Sequence, residues 1–251
     1  MTTVTGIDVS NHQPRDLSTL IQQHQPEHVV VKLYQEVEIA GGRAHARAQI
    51  ESAQAHGCTI GGYVWLYRDV PIEQQIHDAL SLAEEAGVTL PILWIDYEPY
   101  VSNNNLPRIS QLLEAVGVAE RAGVRAGVYT GPWVWNLIGN PVTELASRPL
   151  WTADYRPLPD LNGVRLYGGW EFASGHQWTS QPVDRNVFLP EVTTVESEPE
   201  PPADDVAWMR TSLGHLAGAF ADGVEAEANR KAGPRKTQVR AFAQELRRYA
   251  P

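Results

Sequence analysis

Two acidic side chains stand two positions apart at the end of a strongly apolar segment. The run LPILWID ends at Asp96, and Glu98 follows after one intervening residue. Side chains at positions i and i+2 of a strand project from the same face, so we expect Asp96 and Glu98 to point together. One ionised carboxylate raises the pKa of a close neighbour, so such a pair can combine a proton donor with a negative charge. Cleavage of a glycosidic bond requires that combination.

Two further acids lie beside apolar segments. Asp8 belongs to the run GIDVS, and Asp184 to the run VDRN. Barrel enzymes hold their chemistry at the rim formed by the carboxyl ends of the strands, so a closed barrel would bring all four acids together. The structural alternatives are that Asp8 caps a turn or helix, that Asp184 pairs with Arg185, and that the first acidic pair binds arginines or caps a helix.

Aromatic residues also gather at the ends of predicted strands. Tyr63 and Trp65 close one strand, Tyr129 ends another and Trp151 opens a third. The apolar C–H faces of a sugar can stack on such rings, which makes these residues candidates for substrate contact. The alternative is that they pack in the core, as most aromatic side chains do.

The elements that must position these side chains alternate along the chain. Three predicted helices are followed closely by Gly57, Gly87 and Gly123, the residue type that commonly ends a helix. The alternation favours a parallel sheet with crossover helices, either closed into a barrel or open and doubly wound. No glycine-rich nucleotide-binding motif follows any strand. The predicted strands are 4–9, 29–31, 60–66, 90–96, 125–130, 150–154, 175–179 and 183–188, and the predicted helices are 17–24, 43–56, 72–86 and 107–122.

Composition excludes several classes of function. The 251-residue chain has a formal net charge of -10, which argues against a nucleic-acid partner and against capture by anionic membranes. No apolar stretch approaches the roughly 20 residues that span a bilayer, and the first residues lack the pattern of a secretory signal. The single cysteine, Cys58, excludes an intrachain disulfide and is expected to be a buried thiol, with a nucleophile as the alternative.

Taken together, the motifs resemble the family-25 glycoside hydrolases, the lysozymes found in bacteria and their phages. The resemblance spans residues 4 to about 189, where six motifs occur in the family's order. A departure follows the second strand, where the family usually has a K-[AT]-[ST]-E-G-like run and this chain has KLYQEV from Lys32. The matching motifs are GIDVS with Gln13, GGY at 61–63, DYE at 96–98, GVYT at 127–130, PLWTA at 149–153, and HQWTS at 176–180 followed by VDRN at 183–186.

This resemblance implies an α/β fold, an irregular TIM-like β/α barrel over residues 1–190. It implies hydrolysis of the β-1,4 bond between N-acetylmuramic acid and N-acetylglucosamine in peptidoglycan. Glu98 would be the general acid, and Asp96 would stabilise charge or orient the substrate's N-acetyl group. Asp8 and Asp184 would complete the acidic set, and Gln177 would join the four aromatic residues as a substrate contact. Neither a metal nor an organic cofactor is expected, because no His or Cys cluster has ligand spacing and His12, His24 and His28 are expected in solvated or loop positions.

The C-terminal part of the chain differs in composition. Residues 191–205 are rich in Pro, Glu, Ser and Thr and are predicted to be a linker. Residues 206–251 are predicted to form a helical extension, either a hairpin that packs on the barrel or on another subunit, or a wall-binding module, or a partly disordered tail. Its helices are candidates for self-association.

The expected partner is a peptidoglycan glycan strand, without nucleic acid or membrane insertion. The expected location is the cell wall, reached from the cytoplasm by holin-type release or as part of a phage particle. Three alternatives stay open: a non-catalytic glycan-binding module, a structural phage component with the same fold, and a glycosidase for another N-acetylated glycan.

Overall fold

The computed structural model describes residues 2–34, 42–99, 105–138 and 142–195. The predicted extension 206–251, the linker beyond residue 195 and the family departure at positions 35–37 lie outside these ranges and stay predictions. The packed part of the chain continues past the expected boundary at residue 190. A short 3-10 helix spans Pro190–Val192, and the Val192 side chain is fully buried.

Within the described ranges, eight strands form one closed barrel in chain order. The first seven pair in parallel, whereas the last is antiparallel to both of its neighbours. The expected irregular β/α barrel is therefore confirmed, and its irregularity is the reversed final strand. The strands are β1 (Val4–Val9), β2 (His28–Tyr34), β3 (Thr59–Trp65), β4 (Leu93–Asp96), β5 (Ala126–Thr130), β6 (Leu150–Ala153), β7 (Gly175–Thr179) and β8 (Asp184–Phe188).

Helices cover the outside of the barrel, and four of them match the predicted ones to within two residues at each end. Gly57, Gly87 and Gly123 end three of these helices with positive φ, and the amide of each glycine bonds back to the final turn. The short helix α5 was not predicted, since its seven residues are dominated by aromatic and β-branched types. The helices are α1 (Ser18–His24), α2 (Gly42–Ala55), α3 (Ile72–Glu85), α4 (Ile109–Arg121) and α5 (Pro132–Ile138). No described helix has the length and apolar content needed to cross a membrane.

The barrel has apolar packing on both faces of its strands. Val29 and Val31 of β2 pack outward against the helices, whereas Val30 packs inside, so all three are fully buried. Inside, the large rings of Trp94 and Phe188 fill the space that glycines on neighbouring strands leave open. A Cβ atom on Gly127, for example, would lie 2.5 Å from Cζ3 of Trp94. This closed interior gives the rim above it a rigid floor.

Cys58 lies just before β3 begins, at the end of the barrel opposite to the carboxyl ends of the parallel strands. Its side chain is buried, and Sγ donates to the backbone oxygen of Pro26 at 3.3 Å. Burial raises the pKa of this thiol. The expectation of a buried structural thiol is thus confirmed.

Candidate active site

A cleft of about 210 Å³ opens at the rim where the parallel strands end. All nine residues that sequence analysis selected as site residues line it. Ser10, His12 and Tyr155 also line it and were not selected. The full lining is Asp8, Ser10, His12, Tyr63, Trp65, Asp96, Glu98, Tyr129, Trp151, Tyr155, Gln177 and Asp184.

The reversal of β8 explains how Asp184 reaches this rim. Asp184 is the first residue of β8, yet it pairs with Asp8, near the end of β1, because the two strands run in opposite directions. Beyond Asp8, the turn at 10–13 is closed by Gln13, whose side-chain oxygen accepts the Ser10 amide at 2.8 Å. The side-chain amide of Gln49, in α2, donates to the backbone oxygens of Ser10 and Gln13 and so links the turn to the helix.

Asp96 and Glu98 face the cleft from the same strand end, as their spacing predicts. Asp96 is the last residue of β4, and the backbone continues extended because the Tyr97 amide donates to the Tyr129 oxygen at 2.9 Å. The Tyr97 side chain points away from the cleft and donates to the Pro107 oxygen at 2.9 Å. The alternation of a strand therefore places the two acids on the inner side and the tyrosine between them on the outer side.

Asp8 is held by two side-chain amides. Oδ2 accepts from Nε2 of Gln177 at 2.9 Å and from Nδ2 of Asn186 at 2.8 Å. Burial raises the pKa of Asp8 to about 6, while these hydrogen bonds act in the opposite direction. The ionised form of Asp8 is therefore buried, and the two amide N–H donors stabilise its charge at Oδ2.

Glu98 and Asp184 keep their protons to higher pH than Asp8. Burial, followed by the charge of Asp8, raises the pKa of Glu98 to about 7. The same two causes, with the charge of Glu98 in addition, raise the pKa of Asp184 to about 8. A carboxylic acid that keeps its proton near neutral pH is suited to general-acid chemistry.

Asp96 lies deepest beside β3 and β5, and its side chain is 3% exposed. Burial, the charge of Glu98 and that of Asp8 raise its pKa well above the ordinary value, whereas Lys32 acts in the opposite direction. The Lys32 ammonium lies 4.6 Å from the centre of the Trp65 ring. Among the described residues, Asp96 Oδ1 is buried and finds no hydrogen-bond partner.

The aromatic residues of the cleft differ in how much surface they offer. Tyr63, Tyr129 and Trp151 are no more than 7% exposed, so only their edges reach the cleft. Trp65 is half-buried, and Tyr155 is 59% exposed. The wider face for stacking on a sugar is thus offered by Tyr155, which sequence analysis missed because it follows β6 in an irregular segment. Asn186 was also missed as a functional residue, although its position two after Asp184 in a strand predicts the same face.

The histidines occupy different settings from one another. His12 is exposed at the cleft, in agreement with a loop position. The expectation of a solvated or loop position is wrong for His28, which lies inside the barrel at 0% exposure and packs edge-on against Phe188. Burial lowers the pKa of His28 to about 3. No three His, Cys, Asp or Glu side chains within the described part of the chain are grouped so as to hold a metal ion.

Comparison with known sequences identifies a family match over most of this barrel. The family model described as "Lysozyme-like protein 1" matches residues 1–178. "Probable GH family 25 lysozyme 3" of Dictyostelium discoideum is 26% identical over 185 residues, which are 69% of this chain but only 37% of that protein. "Lysozyme-like protein 5" of Caenorhabditis elegans is 23% identical over 183 residues, 69% of this chain and 83% of that protein.

Solved structures share the barrel. A family GH25 lysozyme from Aspergillus fumigatus superimposes with a TM-score of 0.58 at 21% identity, covering 82% of this chain and 97% of that one. The modular Cpl-1 endolysin, solved with a peptidoglycan analogue, gives a TM-score of 0.58 at 18% identity, covering 78% of this chain and 56% of that one. At these identities the likeness establishes the fold.

Proposed function

The chain belongs to the lysozyme-like protein family and has the barrel of the family-25 glycoside hydrolases, and from this premise we propose that it hydrolyses peptidoglycan. The bond cleaved is the β-1,4 linkage between N-acetylmuramic acid and N-acetylglucosamine. The observation that carries the proposal is the closed-barrel rim on which Asp8, Asp96, Glu98 and Asp184 line one cleft. The similarity to a probable GH family 25 lysozyme and the peptidoglycan analogue bound by the Cpl-1 endolysin support this choice of substrate.

Glu98 acts as the general acid in this proposal. Its pKa of about 7 keeps the carboxyl group protonated at mildly acidic pH. In that form it donates a proton to the oxygen that leaves the anomeric carbon, while a neighbouring carboxylate stabilises the positive charge that develops on the sugar ring. Asp8 ionises at lower pH than Glu98 and supplies negative charge close to the reacting centre.

Asp96 positions the substrate. Asp96 lines the cleft beside Glu98, and in this proposal its carboxyl group receives the amide N–H of the substrate's N-acetyl group. An N-acetyl group held there can attack the anomeric carbon, and an activated water is the alternative nucleophile. The anomeric configuration of the first product distinguishes them, because attack by the N-acetyl group retains the configuration and direct attack by water inverts it.

The experiment is digestion of purified peptidoglycan by wild type and by Glu98→Gln, with fragments identified by mass spectrometry. We expect wild type to release fragments with reducing-end N-acetylmuramic acid, and Glu98→Gln to be slower by roughly two or more orders of magnitude, as the loss of a general acid implies. Glu84→Gln, which removes an exposed acid on α3, is the matched control and should retain wild-type activity.

Two outcomes would redirect the proposal. Wall binding without released fragments would show that the barrel serves recognition, and the catalytic roles of Glu98 and Asp96 would be abandoned. Digestion of chitin in preference to peptidoglycan would keep the chemistry and change the substrate. A role in a phage stays a prediction, because the similar proteins include a slime-mould lysozyme and a nematode protein as well as phage endolysins.

A further inference from the structure

Asp8 sits where the first and last strands of the barrel meet, and two amide side chains surround it. Gln177 and Asn186 are each 2% exposed, and they face each other in the pairing of β7 with β8. Both donate to the same oxygen, Oδ2 of Asp8, at 2.9 and 2.8 Å. An amide can rotate so that it presents either its oxygen or its nitrogen, so the orientation of each one needs a cause.

Trp151 fixes the orientation of Asn186. The indole Nε1 carries a hydrogen and can only donate, and it lies 2.9 Å from Oδ1 of Asn186. Trp151 is 1% exposed and is packed among the inner barrel rings, so it cannot turn away. Because the amide oxygen must face the indole, the amide nitrogen must face Asp8.

Two tyrosines contact the amide oxygen of Gln177. The hydroxyl groups of Tyr129 and Tyr155 each lie 2.9 Å from Oε1 of Gln177 and donate to it. With both hydroxyls on the oxygen, the nitrogen of Gln177 is directed at Asp8. With donors on both amide oxygens, the N–H groups of Gln177 and Asn186 are directed at a single carboxyl oxygen.

We propose that Gln177 and Asn186 are positioning residues that make Asp8 the first carboxyl group of the cleft to ionise, and that its negative charge keeps the proton on Glu98. The inference rests on the proposed function and deepens it. Hydrogen bonds from N–H groups stabilise the ionised form of a carboxyl group over its neutral form. Tyr129 and Trp151, selected from the sequence as substrate contacts, thereby also act on Asp8 through the amides.

The other acids of the cleft agree with this assignment. Asp8 has a pKa of about 6, Glu98 of about 7 and Asp184 of about 8, and the charge of Asp8 is a cause of the rise in both of the latter. Between pH 6 and 7, therefore, Asp8 carries the charge while Glu98 keeps its proton. Besides the two tyrosines, the ionisable groups that line the cleft with Asp8 are His12, Tyr63, Asp96, Glu98 and Asp184, and Lys32 acts on Asp96.

The first test measures the order of ionisation directly. In wild type labelled with ¹³C at the carboxyl carbons of Asp and Glu, the chemical shifts of Asp8 and Glu98 are followed from pH 4 to 9. We expect Asp8 to ionise at lower pH than Glu98, and the reverse order would overturn the proposal. This measurement needs no turnover, so its result is independent of whether the cleft cleaves peptidoglycan.

The second test removes one amide donor. Asn186→Asp keeps an oxygen for the Trp151 indole but replaces the N–H groups that face Asp8 with a second oxygen. We expect the ionisation of Asp8, and with it the acid limb of the peptidoglycan rate profile, to move up by at least about one pH unit, because one hydrogen bond to a charged group is lost and a second carboxyl group is placed beside Asp8.

Gln75→Glu is the control for a carboxyl group buried elsewhere. Gln75 is fully buried and its amide holds the loop at 67–70. This variant is expected to unfold more easily while the Asp8 titration stays at its wild-type position. A uniform loss of rate in Asn186→Asp at every pH, with both limbs unmoved, would show a purely structural role and refute the proposal. If Asn186→Asp does not fold, the wild-type titration decides the question.

Discussion

Replacement of Glu98 by Gln is expected to stabilise the protein at alkaline pH while it removes the proposed general acid. Burial, with the charge of Asp8, raises the pKa of Glu98 from its ordinary value of 4.5 to about 7. The unfolded chain releases this proton near the ordinary value. Between pH 4.5 and 7 the folded state therefore binds more protons than the unfolded state, and its stability falls as the pH rises. Glutamine cannot ionise, so Glu98→Gln does not lose stability in this way as the pH rises.

The size of the effect follows from the two pKa values. The difference between 4.5 and about 7 corresponds to ~3 kcal/mol in the free energy of unfolding if the carboxyl is fully desolvated. Because the Glu98 side chain keeps some exposure, solvent screening reduces this figure. We expect Glu98→Gln to exceed wild type by about 1–3 kcal/mol above pH 7 and to show none of this pH-dependent gain at pH 4.

The assay is urea-induced unfolding followed by circular dichroism at pH 4 and pH 8. Wild type, Glu98→Gln and the exposed-site control Glu84→Gln are compared at equal protein concentration, and free energies are obtained by linear extrapolation. The advantage of Glu98→Gln should grow from pH 4 to pH 8, whereas Glu84→Gln should follow wild type at both. An advantage of the same size at both pH values, or none at pH 8, would refute the desolvation of Glu98.

Further predictions concern activity and stability. The alkaline limb of the peptidoglycan rate profile should fall near pH 7, where Glu98 loses its proton, and a rate unchanged up to pH 9 would contradict its role as the acid. Gly127→Ala should cost about 1–3 kcal/mol in chemical denaturation, because the new Cβ lies 2.5 Å from the Trp94 ring. Gly87→Ala, which meets no neighbour but has a φ of +67°, should cost about 1 kcal/mol, and a larger loss than at Gly127 would contradict the packing argument. Burial lowers the pKa of His28 to about 3, so the stability that neutral His28 contributes is present above pH 6.5 and is lost as the pH falls towards 3. The stability of His28→Gln, measured by urea titration, should therefore gain on that of wild type between pH 6.5 and 4.

The strands and the acidic cleft could be predicted because they depend on local alternation. Asp96 and Glu98 share a face for the same reason that Trp94 lies inside and Ile95 outside, and that period is visible in the sequence. The ends of α2, α3 and α4 could be predicted because glycine favours the positive φ that ends a helix. Both signals extend over only a few residues.

What could not be predicted depends on partners distant in the chain. The direction of β8 is set by its pairing with β1, and nothing within its own five residues specifies that direction. The position of Tyr155 follows from an irregular segment after β6, which has no period to detect. The buried setting of His28 depends on the fit of its ring against Phe188 and the space at Gly61, contacts between separate strands.

The meeting of β1 and β8 also has a kinetic consequence. The hydrogen bond from Asn186 to Asp8 joins residues 178 positions apart, so it forms only when the first and last strands of the barrel come together. Contacts of such long range carry a large loop-closure entropy and are slow to form. The cleft is therefore completed in the same step that seals the barrel, whereas individual strand–helix units can form earlier. Recovery of activity during refolding thus reports the sealing of the barrel and lags behind the recovery of helical signal.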